Sequence, residues 1–172
     1  MVQRIKVNME LMEGMLYYWQ ATNDREKVSE KYLNDIAAMP GLALAYDNEF
    51  NAESVRKVLS AVTNREPFSS KIKKESRFWN NNMWMMEDLE FTDSIIRPLK
   101  KLNLDSLMRT IKNDCSYDEI EVVFSPLTLE EYLIKGNKLI INFFKIIPDA
   151  EGKLNIAEIP LEKYIEEKLT EI

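Results

Sequence analysis

Ile5, Met9, Met12, Leu16 and Trp19 recur at alternating steps of four and three, so Val2 to Gln20 is expected as a helix with one apolar face, widened by Leu11, Met15 and Tyr18. Asn23 with Glu26 has the form of a helix start, and Val28, Tyr32 and Ile36 then repeat every four residues until Pro40-Gly41. These two helices are expected as an antiparallel pair. Leu42 to Tyr46 is apolar but too short to assign. Asn51 stands where a cap belongs, ahead of the stripe Val55, Val58, Leu59 and Val62.

Ser69 or Ser70 is expected to cap a helix running to Met86, in spite of the poor helix formers Asn80-Asn81-Asn82. Thr92 or Asp93 would cap a short helix holding Ile95, Ile96, Leu99 and Leu102, with Pro98 tolerable only near its first turn, and Asp105 would start another. After Asn113 the pattern changes. Ile120 to Phe124 reads as a strand ended by Ser125-Pro126. Thr128 with Glu131 has the capping-box form for a helix stopped by Gly136-Asn137. Lys138 to Ile147 and Lys153 to Ala157 read as a hairpin around Pro148–Gly152, and Pro160 opens a helix with Leu161, Tyr164, Ile165 and Leu169. The fold class expected is α+β and predominantly helical: a multihelical N-terminal body with a small antiparallel hairpin or three-stranded sheet in the C-terminal third. At 172 residues one domain is the default, with possible sub-lobes at 1–113 and 114–172.

Composition narrows the chemistry. With no histidine and only Cys115, the chain lacks an internal disulfide, the usual zinc ligand sets, and both Ser-His-Asp and Cys-His activation of a nucleophile. Its four glycines are far apart, so no phosphate-cradling loop is present. No cofactor and no metal is therefore expected, and no spacing marks an enzyme. Glu10 and Glu13 interrupt what would be a signal peptide, and no apolar run reaches the ~20 residues that span a bilayer. A soluble cytoplasmic protein without a membrane partner is the expectation. Charge is uneven: residues 1–113 hold 17 Lys+Arg against 16 Asp+Glu, and residues 114–172 hold 6 against 13, for −6 overall. That acidity disfavours nucleic acid as a general partner.

Three groups of residues remain as candidate sites. Trp79, Met83, Trp84, Met85 and Met86 concentrate adaptable and hot-spot side chains, as an interface or pocket would; Trp79, Met83 and Met86 also have helical core spacing. Glu10, Glu13, Tyr17 and Tyr18, with Trp84, are candidates to line a small-molecule or catalytic pocket between the helical body and the C-terminal sheet. Arg65, Lys71, Lys73, Lys74 and Arg77 run into the aromatics up to Trp84, the one stretch, residues 65–84, with a single-stranded nucleic-acid pattern. The leading expectation is a protein-interaction or self-associating module acting through the Met/Trp segment, with a protein partner or a second copy of itself. A small-molecule binder or enzyme is the alternative, and weak nucleic-acid binding the third reading.

Overall fold

The computed structural model describes residues 2–111 and 114–172. Strand β1 (Arg4–Asn8) leads into helices α1 (Glu10–Asn23), α2 (Glu30–Ala37), α3 (Pro40–Ala43), α4 (Ala52–Thr63), α5 (Lys73–Glu87) and α6 (Leu89–Lys100), then a 3-10 turn over Asp105–Thr110. The C-terminal part holds β2 (Glu119–Ser125), β3 (Tyr132–Lys135), β4 (Lys138–Asn142), β5 (Ile146–Pro148), β6 (Leu154–Ile156), β7 (Ile159–Pro160) and helix α7 (Leu161–Leu169). The architecture is α+β with helix dominant. Of the small antiparallel hairpin or three-stranded sheet expected in the C-terminal third, the structure has three antiparallel strands, β5-β6-β7.

A second sheet, of order β1-β2-β4-β3, departs from expectation because its first three strands run parallel and it recruits the N-terminus. The first residues are a strand, not the start of the first helix. Ile5 and Val7 turn to the core while Arg4 and Lys6 do not, a period of two that the helical series through Ile5 conceals. Asn8 then closes the strand, its Oδ1 accepting from the Glu10 amide at 2.9 Å. β2 is buried along nearly its whole length because both faces are covered: Ile120, Val122 and Phe124 meet the main core, while Val123 packs with Leu127 and Ile140.

The expected helix after Thr128 is instead the hairpin β3–β4. Gly136, at φ +60°, takes the first place of the two-residue loop between Lys135 and Lys138, where a left-handed conformation is required. Thr128 spends its hydroxyl on Glu130 at 3.2 Å and caps nothing. The expected long strand from Lys138 breaks at Asn142, whose Oδ1 accepts from the Phe144 amide at 3.0 Å and turns the chain into the second sheet.

Helix boundaries also move. α2 is capped by Ser29, whereas Asn23 ends α1 and donates to the Met86 carbonyl at 2.9 Å. α2 packs chiefly on α4, and α4 on α5, so α1 and α2 are not the main pair. Asn51 caps α4 as expected, in a reciprocal box with Ser54. α5 begins after Ile72, with Ser70 accepting from the Ile72 amide at 3.0 Å. α6 is capped by Asp88, one turn earlier than Thr92, which leaves Pro98 in the last turn instead of the first. The main cluster of buried side chains is continuous across residues 2–111 and 114–172: the Trp19 ring stacks on Phe143 with centroids 5.7 Å apart.

Candidate functional site

The Met/Trp segment lies on the second half of α5, which is moored from inside. Trp19 donates its indole N–H to Asn82 Oδ1 at 3.0 Å, and Asn82 donates to the Phe78 carbonyl at 2.8 Å. Asp88 ends α5 and caps α6, accepting from the Phe91 amide at 3.0 Å, while the Thr92 hydroxyl bonds the Met85 carbonyl at 2.9 Å. This stiff corner places Trp84, one turn before it, and Phe91, one turn after it, around a shared concavity. Trp84 is 66% exposed and Phe91 38%, and with Met85 and Asp88 they line a space of about 320 Å³.

The segment is thus divided. Met86 and Met85 are buried and Trp79 and Met83 pack against the core, while Trp84 alone projects. Phe91 and Asp88 line this concavity although the sequence pattern did not place them beside Trp84; the Asp88 cap was the available signal. Trp79 carries a buried indole N–H with no hydrogen-bond partner among the described residues. Trp79→Phe removes that unsatisfied donor, and the penalty relieved, about 1–3 kcal/mol, offsets the ring packing lost, so stability is expected to change by less than about 1 kcal/mol. Urea titration of the variant checks this.

The second group does not converge. Tyr18 is fully buried and donates to the Leu59 carbonyl at 2.6 Å, and burial drives its phenol far above the usual tyrosine range. Tyr17 faces solvent with its ring 5.3 Å from Tyr32, and Glu10 and Glu13 occupy the exposed first turn of α1, where they complement the helix dipole. Glu10 borders a cavity of about 100 Å³ beside Glu121, whose charge burial opposes but which hydrogen bonds from Asn8 and Lys138 hold below the usual glutamate range.

Of the basic group, Arg65 reaches the Thr22 carbonyl at 3.2 Å. Lys74, in the first turn of α5 where the helix dipole disfavours a cation, is held by Asp47 and by Glu130 at 3.1 Å. Lys71, Lys73 and Arg77 are exposed. Two of the five charges are therefore already engaged within the fold. Next to Lys74, the Glu75 side chain is only 2% exposed and bonds Lys57 at 2.9 Å and Ser70 at 2.8 Å. Burial opposes its charge, but hydrogen bonds from Ser54, Lys57 and Ser70 outweigh that and hold the carboxyl below its ordinary range.

A cavity does exist where the helical body meets the C-terminal sheet, built by other residues than those the sequence pointed to. It measures about 420 Å³ and lies between the end of α6, the β5–β6 turn and the start of α7, with Leu99, Leu102, Leu154 and Leu161 as apolar walls. A more open groove of about 480 Å³ adjoins it, between Arg4–Val7 of β1 and Lys100–Asp105. No helix of the described residues is long and apolar enough to cross a membrane. No known protein family, curated protein or solved structure matches the chain.

Proposed function

We propose that the protein is a self-associating module whose contact is the α5–α6 corner. The observation that carries this reading is Trp84, two-thirds exposed beside a concavity that Phe91 also borders. Tryptophan is enriched among the residues that dominate interface energies, and its cost when exposed is repaid by seating in a pocket. A projecting ring next to a recess is self-complementary: under a two-fold axis each Trp84 enters the recess of the other copy, an isologous contact. The Asp88 carboxylate at the rim offers an acceptor for an incoming indole N–H. Stiff support from Thr92 and Asn82 keeps the entropy of ordering small.

Sedimentation equilibrium over a wide concentration range tests it. The expected result is a reversible dimer that tightens with salt, since each chain carries −6 and added ions screen the mutual repulsion. Trp84→Glu is expected to weaken the dimer by roughly 30-fold or more, the size of a hot-spot loss, without lowering the melting temperature at concentrations where the wild type is monomeric. A monomer at every concentration, or a dimer indifferent to this substitution, defeats the proposal.

A second reading, binding of a small ligand at the junction of the helical body and the C-terminal sheet, is supported by the 420 Å³ cavity there, which falls in the ~300–1,000 Å³ range of ligand sites.

A further inference from the structure

We infer that the cavity at the end of α6 and the groove along β1 are two halves of one site for a small amphipathic anion, an aliphatic chain ending in a carboxylate; the inference rests on the second reading above and is independent of Trp84. Lys101 and Leu102 line both spaces, which places the two side by side. Their chemistries differ. Leu99, Leu102, Leu154 and Leu161, with Pro98 and Pro160, give the cavity an apolar lining suited to an alkyl chain.

The groove is cationic. Four consecutive residues of β1, Arg4 to Val7, line it together, which happens only if it follows the edge of the strand and not one face of the sheet. Arg4 and Lys6 on one bank face Lys100 and Lys101 on the other, with Asp105 the one acidic residue among the groove's lining residues. Arg4 pairs with Glu119 at 3.6 Å and Lys153, on the cavity rim, with Glu151 at 3.8 Å. Lys6, Lys100 and Lys101 form no ion pair among the described residues, although Lys6 lies within the field of Glu121. Glu162 lines the cavity and not the groove, so its charge disfavours a headgroup placed in the cavity.

Such an excess of unpaired cations is out of character for an acidic chain, and low-dielectric walls focus its field on whatever lies between the banks. β1 adds backbone donors. It pairs only with β2, and no other backbone hydrogen bond among the described residues reaches Arg4–Val7, so N–H groups on its outer edge remain available to an anion. An apolar chain beside Leu154 and Leu161 and a headgroup between Lys6 and Lys100 satisfy both halves at once. A purely apolar or purely ionic ligand satisfies one.

Isothermal titration calorimetry with sodium decanoate below its micelle concentration tests this, with decanol and acetate as probes of each half and amide NMR shifts to locate binding. The expected result is decanoate binding at least tenfold tighter than either probe, weakened by added salt, with shifts concentrated at Leu99–Leu102, Lys6 and Leu154. Lys100→Glu with Lys6→Gln, both exposed positions that line the groove and not the cavity, is expected to weaken decanoate at least tenfold while leaving decanol unchanged. Leu154→Gln is expected to weaken both, and circular dichroism confirms that each variant is folded. Decanol binding as tightly as decanoate in the same cavity overturns the anion assignment and leaves the ligand-binding reading standing. Shifts elsewhere, or no binding of any of the three, overturn both.

Discussion

Trp19→Ala is expected to cost about 3–5 kcal/mol of folding stability, the range for truncating a large buried aromatic. The side chain is wholly inaccessible and sits where three parts of the chain meet. Its ring lies against Phe143 at 5.7 Å and Phe144 at 6.3 Å from the C-terminal part, and its N–H holds Asn82 on α5. Truncation opens a cavity and leaves the Asn82 oxygen, itself fully buried, without a donor. Trp19→Phe separates the two losses: most of the ring contact survives, and the unsatisfied oxygen alone is expected to cost about 1–3 kcal/mol. Urea denaturation followed by circular dichroism gives both values, and a loss below about 1 kcal/mol for the alanine variant contradicts the packing described. Because Trp19 touches both residues 1–113 and 114–172, a single cooperative transition is the expected form of unfolding.

The second large effect concerns Lys57 and Glu75, and it is asymmetric. Lys57 is 42% exposed and Glu75 only 2%, so the two partners lose different things when the pair is broken. In Glu75→Gln the freed lysine returns to water and the amide still meets Ser70, for an expected cost of about 1 kcal/mol, in keeping with a pair whose cation is partly solvated. In Lys57→Met the carboxylate stays buried with its cation gone, for an expected cost of about 3 kcal/mol, at the lower end for stranding a buried charge.

The pH dependence follows from the same geometry. In the wild type the Glu75 carboxyl is held below its unfolded value of ~4.3, so its contribution is complete above that pH and is lost as pH falls through the folded value. Without Lys57, the burial that opposes the charge is met only by the hydroxyls of Ser54 and Ser70, so the folded value moves up. Protonation then relieves the variant before the wild type as pH falls, so the gap between wild type and Lys57→Met is expected to be largest near pH 7 and to shrink toward about pH 4, near the ordinary glutamate value. Equal gaps at both pH values count against a buried, cation-dependent Glu75.

The candidate surface was legible in the sequence in part. The unusual run from Trp79 to Met86 drew attention to the segment that carries the exposed Trp84, yet a period of 3.6 assigns faces only relative to one another. Which face meets solvent depends on what packs against α5. Trp84 projects because Phe78, Asn82, Met85 and Met86 are taken up by the core, and Phe91 joins it because Asp88 begins α6 a turn earlier than its strongest apolar stripe implies. A cavity lies at the junction of the helical body and the C-terminal part, but Tyr17, Tyr18 and Trp84 do not line it: helix positions adjacent on paper radiate in different directions.

What the sequence determined by itself is what closes within a short span of chain. An α-helix supplies its own hydrogen bonds, so the stripes of α4, α6 and α7 and the Asn51 cap are written locally, and composition alone removes zinc sites built on histidine or cysteine pairs and histidine-activated nucleophiles. The tertiary structure decided whatever needs a distant partner. Arg4–Asn8 is a strand because β2 offers it a parallel edge, Tyr132–Lys135 is a strand because β4 does, and neither bond can be read from the segment that makes it. Exposure is likewise a property of neighbours: it sets Trp84 in water and Trp19 beyond its reach, and it joins lysines from the end of α6 to a strand at the other end of the chain, because burial and electrostatic fields depend on distance in space and not on position in sequence.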